Sequence, residues 1–328
     1  MINVQELVIY PLSTCNLRCK HCYVPDGKKY VLTKKNISWI HDMFNEKKTI
    51  IMGGEPLLYE HLEYILKTFK NVTISTNGVL IKKNLNLLKK HKDNVTIQLS
   101  IEAGEKETNG IRGYETDIDV WNTVMESASL LEENNVSFYF RCSYHSDNLK
   151  QIKKYVFPLS EQFNAGVMFL PRIDKIPLDV NSNLTFFRDV LHQENCAVAQ
   201  PHFFQFIGKH GRCKAGDERI NIFYDKRITP CNLDLDYTLG RIGDEETVIR
   251  NNIKTFLDNF KVSPFECSSC KHSSECKGSC YISKSYLSCP LKHNFNIENL
   301  IQHENLNKQR TIQETNILTD YVKHLGIC

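Results

Sequence analysis

The sequence predicts an α/β protein with a parallel sheet, followed by a cysteine-rich C-terminal part. Three observations support this: short apolar runs alternate with helical patterns, one predicted helix carries an apolar stripe, and the alternation ends near Cys196. Strand–helix alternation is typical of βαβ units with right-handed crossovers. Alternation alone leaves open whether the strands form a closed ring or an open sheet. In both cases functional residues lie at the carboxyl ends of the strands.

Six strands are predicted, each followed by a helix. Leu62, Ile65, Leu66 and Phe69 recur at i, i+3, i+4 and i+7, which is typical of a helix that covers a sheet. The predicted strands are residues 6–10, 49–52, 72–76, 95–101, 136–143 and 166–170. The predicted helices are residues 36–44, 62–69, 85–90, 118–134, 149–157 and 183–194.

The change in composition after the sixth unit predicts four parts of the chain. Residues 1–195 form the strand–helix domain, and residues 196–212 form a bridging region. Residues 213–290 are rich in cysteine and glycine, and residues 291–328 are predicted to be a polar helical tail.

Composition excludes several classes of function. A formal charge of +3 over 328 residues gives little attraction for a polyphosphate, so nucleic-acid binding is not expected. No apolar run has the length needed to cross a bilayer. The opening residues MINVQELVIY lack the basic region of a signal peptide, so we expect a cytoplasmic protein without a membrane partner.

The 13 cysteines are the exception to this ordinary composition. Thiols stay reduced in the cytosol, so disulfides are not expected. Three cysteines lie at positions 15, 19 and 22, and seven more lie between positions 213 and 289. Clustering at short spacing favours metal ligation over scattered core thiols.

The first cluster of cysteines follows the first predicted strand, in the segment PLSTCNLRCKHCY. Cys15, Cys19 and Cys22 have the spacing C-x3-C-x2-C. A cubane iron–sulfur cluster usually has four thiolate ligands, so three leave one iron open to a further ligand. A zinc site is the structural alternative, but zinc favours paired C-x2-C units with four ligands.

The sequence resembles the radical S-adenosylmethionine (SAM) superfamily in this triplet, in Tyr23 after it, and in the segment IIMGGEP. The resemblance implies a partial (β/α)6 TIM-like barrel and a 4Fe–4S cluster on the three cysteines. It also implies that the GGEP loop receives the methionine amino group of SAM. That loop consists of Gly53, Gly54, Glu55 and Pro56, and a simple Gly-Gly turn is its structural alternative.

The resemblance also implies the chemistry. The reduced cluster passes one electron to the SAM sulfonium, and the resulting 5′-deoxyadenosyl radical removes a hydrogen atom from an unactivated C–H bond. The protein orients SAM and substrate and excludes water. A flavodoxin- or ferredoxin-type protein is the expected electron donor.

Weaker matches supply further candidates for SAM binding. Ser75 and Asn77 end the third predicted strand, and Ser100 ends the fourth. Arg112 and Arg141 each offer a guanidinium that could pair with the SAM carboxylate, and a structural ion pair is the alternative for both. Where relatives often have Ser-x-Asp-Gly, this chain has Glu102 and Ala103 after Ser100, so that detail departs from the pattern.

The C-terminal cysteines resemble the SPASM extension, which holds two auxiliary 4Fe–4S clusters. Its central run has the spacing C-x2-C-x5-C-x3-C, and a zinc-ribbon-like site is the alternative. Relatives usually have Gly five residues before the second cysteine of the extension, where this chain has Lys226. By resemblance, Cys267, Cys270, Cys276 and Cys289 bind the outer cluster, and Cys213, Cys231 and Cys280 bind the inner one.

Two further cysteines have open roles. Cys196 could be the fourth ligand of the inner cluster, or that iron could be open to substrate. Cys142 is expected to be a buried core thiol, with donation of hydrogen to a substrate radical as the alternative.

The expected substrate is a peptide or protein, because most members with this extension modify peptides or mature enzymes. Sulfatase-maturing members have an aspartate base after the second cysteine of the extension, where this chain has Asn232; Asp234 and Asp236 are the nearby candidates. Few residues precede the first predicted strand, so we expect no leader-binding domain there and a separate leader-binding protein as a possible partner. The alternatives are a small-molecule enzyme of cofactor or haem-type biosynthesis and an electron carrier that needs no SAM pocket.

Overall fold

The computed structural model describes residues 1–22, 24, 29–172, 185–186, 189–190, 192–193, 195–198, 214–234 and 236–260. The described chain divides into two compact units. The first consists of Met1–Ser100, Glu105–Phe138 and Lys214–Lys261 as far as they are described. The second contains Ile101–Gly104 and the described residues of Tyr139–Cys213.

The secondary structure alternates between strands and helices, which confirms the predicted α/β class. The strands are β1 (Ile2–Ile9), β2 (Phe44–Ile51), β3 (Val72–Thr76), β4 (Val95–Ile101), β5 (Phe138–Tyr144), β6 (Gly166–Pro171), β7 (Cys196–Val198), β8 (Arg219–Ile222), β9 (Arg227–Thr229) and β10 (Gly240–Arg241). The helices are α1 (Lys34–Met43), α2 (Leu62–Thr68), α3 (Ile81–Lys90), α4 (Glu105–Ile111), α5 (Val120–Glu133), α6 (Leu149–Gln151), which continues as a π-helix over Ile152–Val156, α7 (Leu159–Gln162) and α8 (Glu246–Phe260).

The sheet of the first unit is mostly parallel. β1 pairs with β2, β2 with β3, and β3 with β4, all in parallel register. On the other side of β1, β8 pairs with it in parallel, and β8, β9 and β10 form antiparallel pairs. In the second unit β5, β6 and β7 are parallel neighbours. The carboxyl ends of β1 to β4 therefore meet at one edge of the sheet.

The hydrophobic face of α2 explains why the helix forms where it does. Leu62, Ile65 and Leu66 are buried, as is Phe69 immediately after the helix. These are the residues of the predicted apolar stripe, so their burial confirms that prediction.

The structure departs from the prediction at several element boundaries and in three larger features. β2 begins at Phe44 rather than at residue 49, and its polar first half is held in register by Asn45 Nδ2, which donates to Asn3 Oδ1 at 2.8 Å. Helix α4 was not predicted, because its sequence EKETNGI has no apolar stripe. β8 extends the sheet beyond β1, although the strand–helix alternation had ended before it.

None of the helices in the described part of the chain has both the length and the apolar character that a bilayer crossing requires.

Candidate active site

The loop that follows β1 carries the three N-terminal cysteines. Cys15 and Cys19 are partly buried and Cys22 is exposed. The backbone N–H of Leu17 donates to Cys15 Sγ at 3.4 Å, and the N–H of Cys22 donates to the carbonyl of Cys19 at 3.0 Å. The loop therefore turns tightly enough to place the backbone N–H of Leu17 beside its first sulfur.

Burial raises the pKa of the Cys15 thiol to about 11. The N–H of Leu17 opposes this by stabilising the thiolate, while the negative charges of Glu55 and of the Cys19 and Cys22 thiolates add to the rise. The bare thiol is therefore protonated at neutral pH, and a metal that binds it must displace the proton.

Gly53 and Gly54 form the turn after β2 and lie against this cysteine loop. Gly53 has a φ of +130°, and a Cβ at Gly54 would lie 2.0 Å from the carbonyl oxygen of Thr14. The N–H of Gly54 donates to Leu12 O at 3.0 Å, and the N–H of Glu55 donates to Thr14 O at 2.9 Å. The sequence suggested that these glycines admit a ligand; the structure adds that they admit the backbone of the cysteine loop.

Glu55 is a buried carboxylate that joins the glycine turn to the end of β3. It accepts hydrogen bonds from the N–H of Leu57 at 3.0 Å, from the hydroxyl of Thr76 at 2.7 Å and from the N–H of Asn77 at 3.0 Å. Burial raises the pKa of Glu55, and the three donors counteract part of that rise. The carboxylate thereby fixes the end of β3 against the glycine turn.

Asn77 extends this connection to the cysteine loop. Its Nδ2 donates to Asn16 Oδ1 at 2.9 Å and lies 3.8 Å from Cys15 Sγ. Its Oδ1 accepts from the N–H of Val79 at 3.0 Å. The structure thus brings together the cysteine loop, the glycine turn and the end of β3, which the sequence had only suggested.

The end of α4 and the residues after it also contact the cysteine loop. The N–H of Lys20 donates to Ile111 O at 3.0 Å, and Cys19 Sγ lies 4.0 Å from the carbonyl oxygen of Arg112. Lys20 Nζ also lies over the ring of Tyr114, 4.5 Å from its centroid. The backbone of Arg112, one of the two predicted arginines, therefore lies beside the cysteine loop.

The remaining candidate site residues lie at the ends of β3 and β4 and on the strands of the second unit. Ser75 Oγ accepts from Gln98 Nε2 at 2.7 Å, and Ser100 is buried at the end of β4. Arg141 and Cys142 lie on β5 in the second unit, where Cys142 is fully buried, as expected of a core thiol. Cys196 is buried on β7 of the same unit.

Cys231 follows β9 and has the same local surroundings as Cys15. The N–H of Leu233 donates to Cys231 Sγ at 3.5 Å, and that sulfur lies 3.8 Å from Asn232 Oδ1. For Cys15 the matching distances are 3.4 Å and, to Asn16 Oδ1, 3.8 Å. Both sulfurs therefore lie in a Cys-Asn-Leu turn with an N–H donor two residues on.

Asp234 is the first of the two predicted aspartates after Cys231. Asp234 Oδ1 accepts from the N–H of Tyr237 at 3.1 Å, and the N–H of Asp234 donates to Cys231 O at 3.3 Å. Asp234 thus shapes the turn after Cys231, while Asp236 lies two residues further on.

Several predicted ligands lie outside the described residues. They are Tyr23, Cys213, Cys267, Cys270, Cys276, Cys280 and Cys289. Sequence analysis in turn missed Asn16, whose contact with Asn77 connects the predicted motifs. The repeated Cys-Asn-Leu triplet was the sequence signal that could have identified Asn16.

The donor set of the cysteine loop fits an iron–sulfur cluster. Within the described ranges, no three His, Cys, Asp or Glu side chains converge on a point where one metal ion could be held. A cubane cluster does not require side chains that converge on one point, because its protein thiolates bind separate irons. N–H donors beside Cys15 Sγ are suited to the negative charge of a ligating thiolate.

Comparison with known proteins is consistent with this geometry. The family model described as the radical SAM superfamily matches residues 9–155. AlbA of Bacillus subtilis, an antilisterial bacteriocin subtilosin biosynthesis protein, is 35% identical over 107 residues, covering 29% of this chain and 23% of AlbA. A GTP 3′,8-cyclase of Aquifex aeolicus is 37% identical over 91 residues, covering 23% of this chain and 28% of the cyclase.

A third relative is the sporulation killing factor maturation protein SkfB of Bacillus subtilis. It is 24% identical over 163 residues, covering 47% of this chain and 38% of SkfB. The matched segments therefore span less than half of the length of each of these curated relatives.

Solved structures share the fold over most of the chain. Streptococcus suis SuiB bound to the precursor peptide SuiA has a TM-score of 0.71 at 19% identity, covering 88% of this chain and 74% of SuiB. The anSMEcpe structure with bound AdoMet and Cp18Cys peptide has a TM-score of 0.66 at 17% identity, covering 97% of this chain and 99% of that one.

Proposed function

Residues 9–155 are a radical SAM domain, and from this premise we propose that the chain is a radical SAM oxidoreductase that modifies a peptide or protein. The observation that carries the proposal is the meeting of three separate motifs at one edge of the sheet. Glu55 N–H donates to Thr14 O at 2.9 Å, and Asn77 Nδ2 donates to Asn16 Oδ1 at 2.9 Å. An electron carrier has no need of a glycine turn docked on its cysteine loop.

We assign the cluster to Cys15, Cys19 and Cys22. A 4Fe–4S cluster held at this loop would supply the one-electron reduction of SAM that precedes removal of a hydrogen atom from the substrate. The chain's own residues shape the site around it. Burial of Cys15 and the N–H of Leu17 hold its sulfur in place.

SAM is proposed to bind along the carboxyl edge of the strands. The glycine turn would receive the methionine part, and the guanidinium of Arg112 is the candidate partner of the carboxylate, because the backbone carbonyl oxygen of this residue lies 4.0 Å from Cys19 Sγ. The further proposed SAM contacts are Tyr23, Gly53, Gly54, Glu55, Pro56, Ser75, Ser100 and Arg141.

A peptide substrate is favoured over a small molecule by the matched proteins. SuiB was solved with a precursor peptide and anSMEcpe with the Cp18Cys peptide, while AlbA and SkfB are named for bacteriocin biosynthesis and killing-factor maturation. Matches to several GTP 3′,8-cyclases favour the small-molecule alternative, and they cover between 23% and 39% of this chain. A separate leader-binding protein, a flavodoxin- or ferredoxin-type electron donor and a cytoplasmic location complete the proposal.

Two auxiliary 4Fe–4S clusters are also part of the proposal. Support comes from Cys231, whose Cys-Asn-Leu turn places an N–H beside sulfur as at Cys15. The other proposed ligands lie outside the described residues: Cys213, Cys267, Cys270, Cys276, Cys280 and Cys289.

The radical chemistry is tested by anaerobic reconstitution with iron and sulfide, followed by dithionite and SAM. We expect 5′-deoxyadenosine from the wild type and none above background from a Cys15/Cys19/Cys22→Ala variant. About four irons per chain would indicate the SAM cluster alone, and about twelve would indicate three cubanes. A wild type that forms no more 5′-deoxyadenosine than the triple variant would overturn the proposed activity.

The substrate class is tested by mass spectrometry after turnover. Deuterated candidate peptides encoded beside the gene form one arm, and deuterated GTP forms the other. Loss of hydrogen mass from a peptide, with deuterium transfer into 5′-deoxyadenosine, is the expected result. Deuterium transfer from GTP alone would favour the small-molecule alternative.

A further inference from the structure

We propose that Asn77 is a positioning residue for the cluster: its side-chain amide holds Cys15 and raises the reduction potential of the iron–sulfur centre. This inference rests on the proposed function, because it assumes that Cys15 binds iron. It assigns Asn77 to the cysteine loop rather than to SAM, for which its position at the end of β3 had made it a candidate.

The orientation of the Asn77 amide is fixed by its neighbours. Its oxygen accepts from the N–H of Val79 at 3.0 Å, a contact that the NH₂ group could not make. The NH₂ group must therefore point the other way, toward the cysteine loop. There it donates to Asn16 Oδ1 at 2.9 Å and lies 3.8 Å from Cys15 Sγ.

The backbone of Asn77 is held as firmly as its side chain. Its N–H donates to the buried carboxylate of Glu55 at 3.0 Å, and the residue is only 7% exposed. Glu55 in turn donates its own N–H to Thr14 O, next to Cys15. Asn77 thus reaches Cys15 from a rigid position, and its amide is engaged by protein groups on both sides.

The expected consequence is electrostatic. Cys15 Sγ has two N–H groups near it, from Leu17 at 3.4 Å and from Asn77 at 3.8 Å. Hydrogen bonds to cluster sulfurs stabilise the more negative, reduced state and so raise the reduction potential. Removing the Asn77 donor should therefore make the cluster harder to reduce.

The test compares Asn77→Ala and Asn77→Asp with the wild type after reconstitution. Asp keeps the size of Asn and can still accept from Val79, but it replaces the donor with a negative charge. We expect the midpoint potential, measured by EPR-monitored titration without SAM, to fall in the order wild type, Asn77→Ala, Asn77→Asp. The first step should make reduction about tenfold less favourable, about 59 mV for a one-electron couple.

Asn94→Ala is the matched control. The Asn94 side chain is also fully hydrogen-bonded: Nδ2 donates to Leu66 O at 2.9 Å and Phe69 O at 2.8 Å, and Oδ1 accepts from Asn71 N–H at 2.7 Å. It lies just before β4, at the opposite end of the strand from Ser100. This variant should lose thermal stability while its cluster keeps the wild-type potential and EPR spectrum.

The outcomes separate the two levels of the proposal. The inference would be overturned if both Asn77 variants kept the wild-type potential and EPR spectrum but needed a higher SAM concentration for the SAM-induced EPR change. Asn77 would then be a SAM ligand. Loss of the cluster from Asn77→Ala but not from Asn94→Ala would support it. If both alanine variants fail to fold, the potential of Asn77→Asp decides. A wild type without iron, sulfide or a SAM-sensitive EPR signal would overturn the proposed function itself.

Discussion

Two regions of this molecule repeat the triplet Cys-Asn-Leu, and they repeat its local geometry as well. At Cys15 and at Cys231 the N–H two residues later lies 3.4 and 3.5 Å from the sulfur. The neighbouring Asn Oδ1 lies 3.8 Å from the sulfur in both cases. Local sequence is therefore sufficient to place one donor beside each thiol.

The regions differ in what surrounds the triplet. Around Cys15 the contacts come from distant segments, through Asn77 Nδ2 and through the N–H of Glu55 on Thr14 O. Around Cys231 the described contacts come from its own hairpin, including Thr229 Oγ1, which donates to Cys231 O at 3.0 Å, and Asn221, which donates to Pro230 O at 3.2 Å. The shared turn suits metal ligation, whereas the distant contacts around Cys15 build the wider site.

Replacing each cysteine should reveal the largest difference between the regions. Cys15→Ala should reduce 5′-deoxyadenosine formation to background, because the proposed SAM-cleaving cluster loses one of its three thiolate ligands. Cys231→Ala should retain SAM cleavage and lose about four irons per chain. Chromatography of the nucleoside and an iron assay measure both. A folded Cys231→Ala protein that cleaves no SAM would contradict the division of roles.

Glycine substitutions sharpen the comparison at the level of packing. A Cβ at Gly54 would lie 2.0 Å from the Thr14 backbone oxygen, whereas one at Gly216, near the Cys231 hairpin, would lie 2.5 Å from the Phe256 ring. Gly54→Ala should destabilise the fold by about 3 kcal/mol and impair loading of the cluster at Cys15, because the backbone at Thr14 must move to make room for the new Cβ.

Gly216→Ala should cost about 2 kcal/mol, through its φ of +73° and displacement of a side chain, and should leave the cluster at Cys15 intact. Denaturant unfolding and iron content measure the two effects. Equal loss of the cluster at Cys15 from both variants would show that general destabilisation, rather than the docking of the glycine turn, is responsible.

Glu6 on β1 and Arg219 on β8 form an ion pair between the strand that precedes the Cys15 loop and the hairpin that ends at Cys231. This ion pair predicts that the free energy of unfolding depends on pH. Burial raises the pKa of Glu6, but the charges of Arg219 and Lys214 outweigh it and leave that pKa below its ordinary value of 4.5. Arg219 Nε donates to Glu6 Oε2 at 2.6 Å. Because the folded pKa is the lower one, the stabilisation is present above pH 4.5 and is lost as the pH falls through the folded value.

Glu6→Gln should therefore lower the free energy of unfolding by about 1 kcal/mol at pH 7. The difference between variant and wild type should shrink below pH 4.5. Urea unfolding at several pH values measures it. A difference that stays constant through the acid range would show that the ion pair does not stabilise the fold.

The smallest effect is expected at Lys226, in the turn between β8 and β9. Its φ is +72°, a conformation that favours glycine, which is the residue expected there from the family resemblance. Lys226→Gly should stabilise the chain by about 0.5 kcal/mol, because relief of strain exceeds the entropy cost of glycine. Thermal unfolding measures the change, and a destabilised variant would show that the lysine side chain contributes contacts of its own.

Much of the candidate site could be predicted from the sequence because its groups are adjacent in the chain. Cys15, Cys19 and Cys22 share one loop, and the Gly-Gly turn directly follows a strand. The pairing of β8 with β1 could not be predicted, since it joins residues such as Glu6 and Arg219 that are far apart in sequence. The polar first half of β2 and helix α4 were missed because neither has an apolar period.

The sequence by itself determined the α/β class, the placement of three thiols on one loop and the tight glycine turn, because each depends on residue type and spacing over a short segment. The tertiary structure alone decided that Glu55 and Asn77 join three segments, and that Asn77 offers its NH₂ group to Cys15. These contacts link residues up to 62 positions apart. They form only when parallel strands bring their carboxyl ends to one edge, which no local pattern specifies.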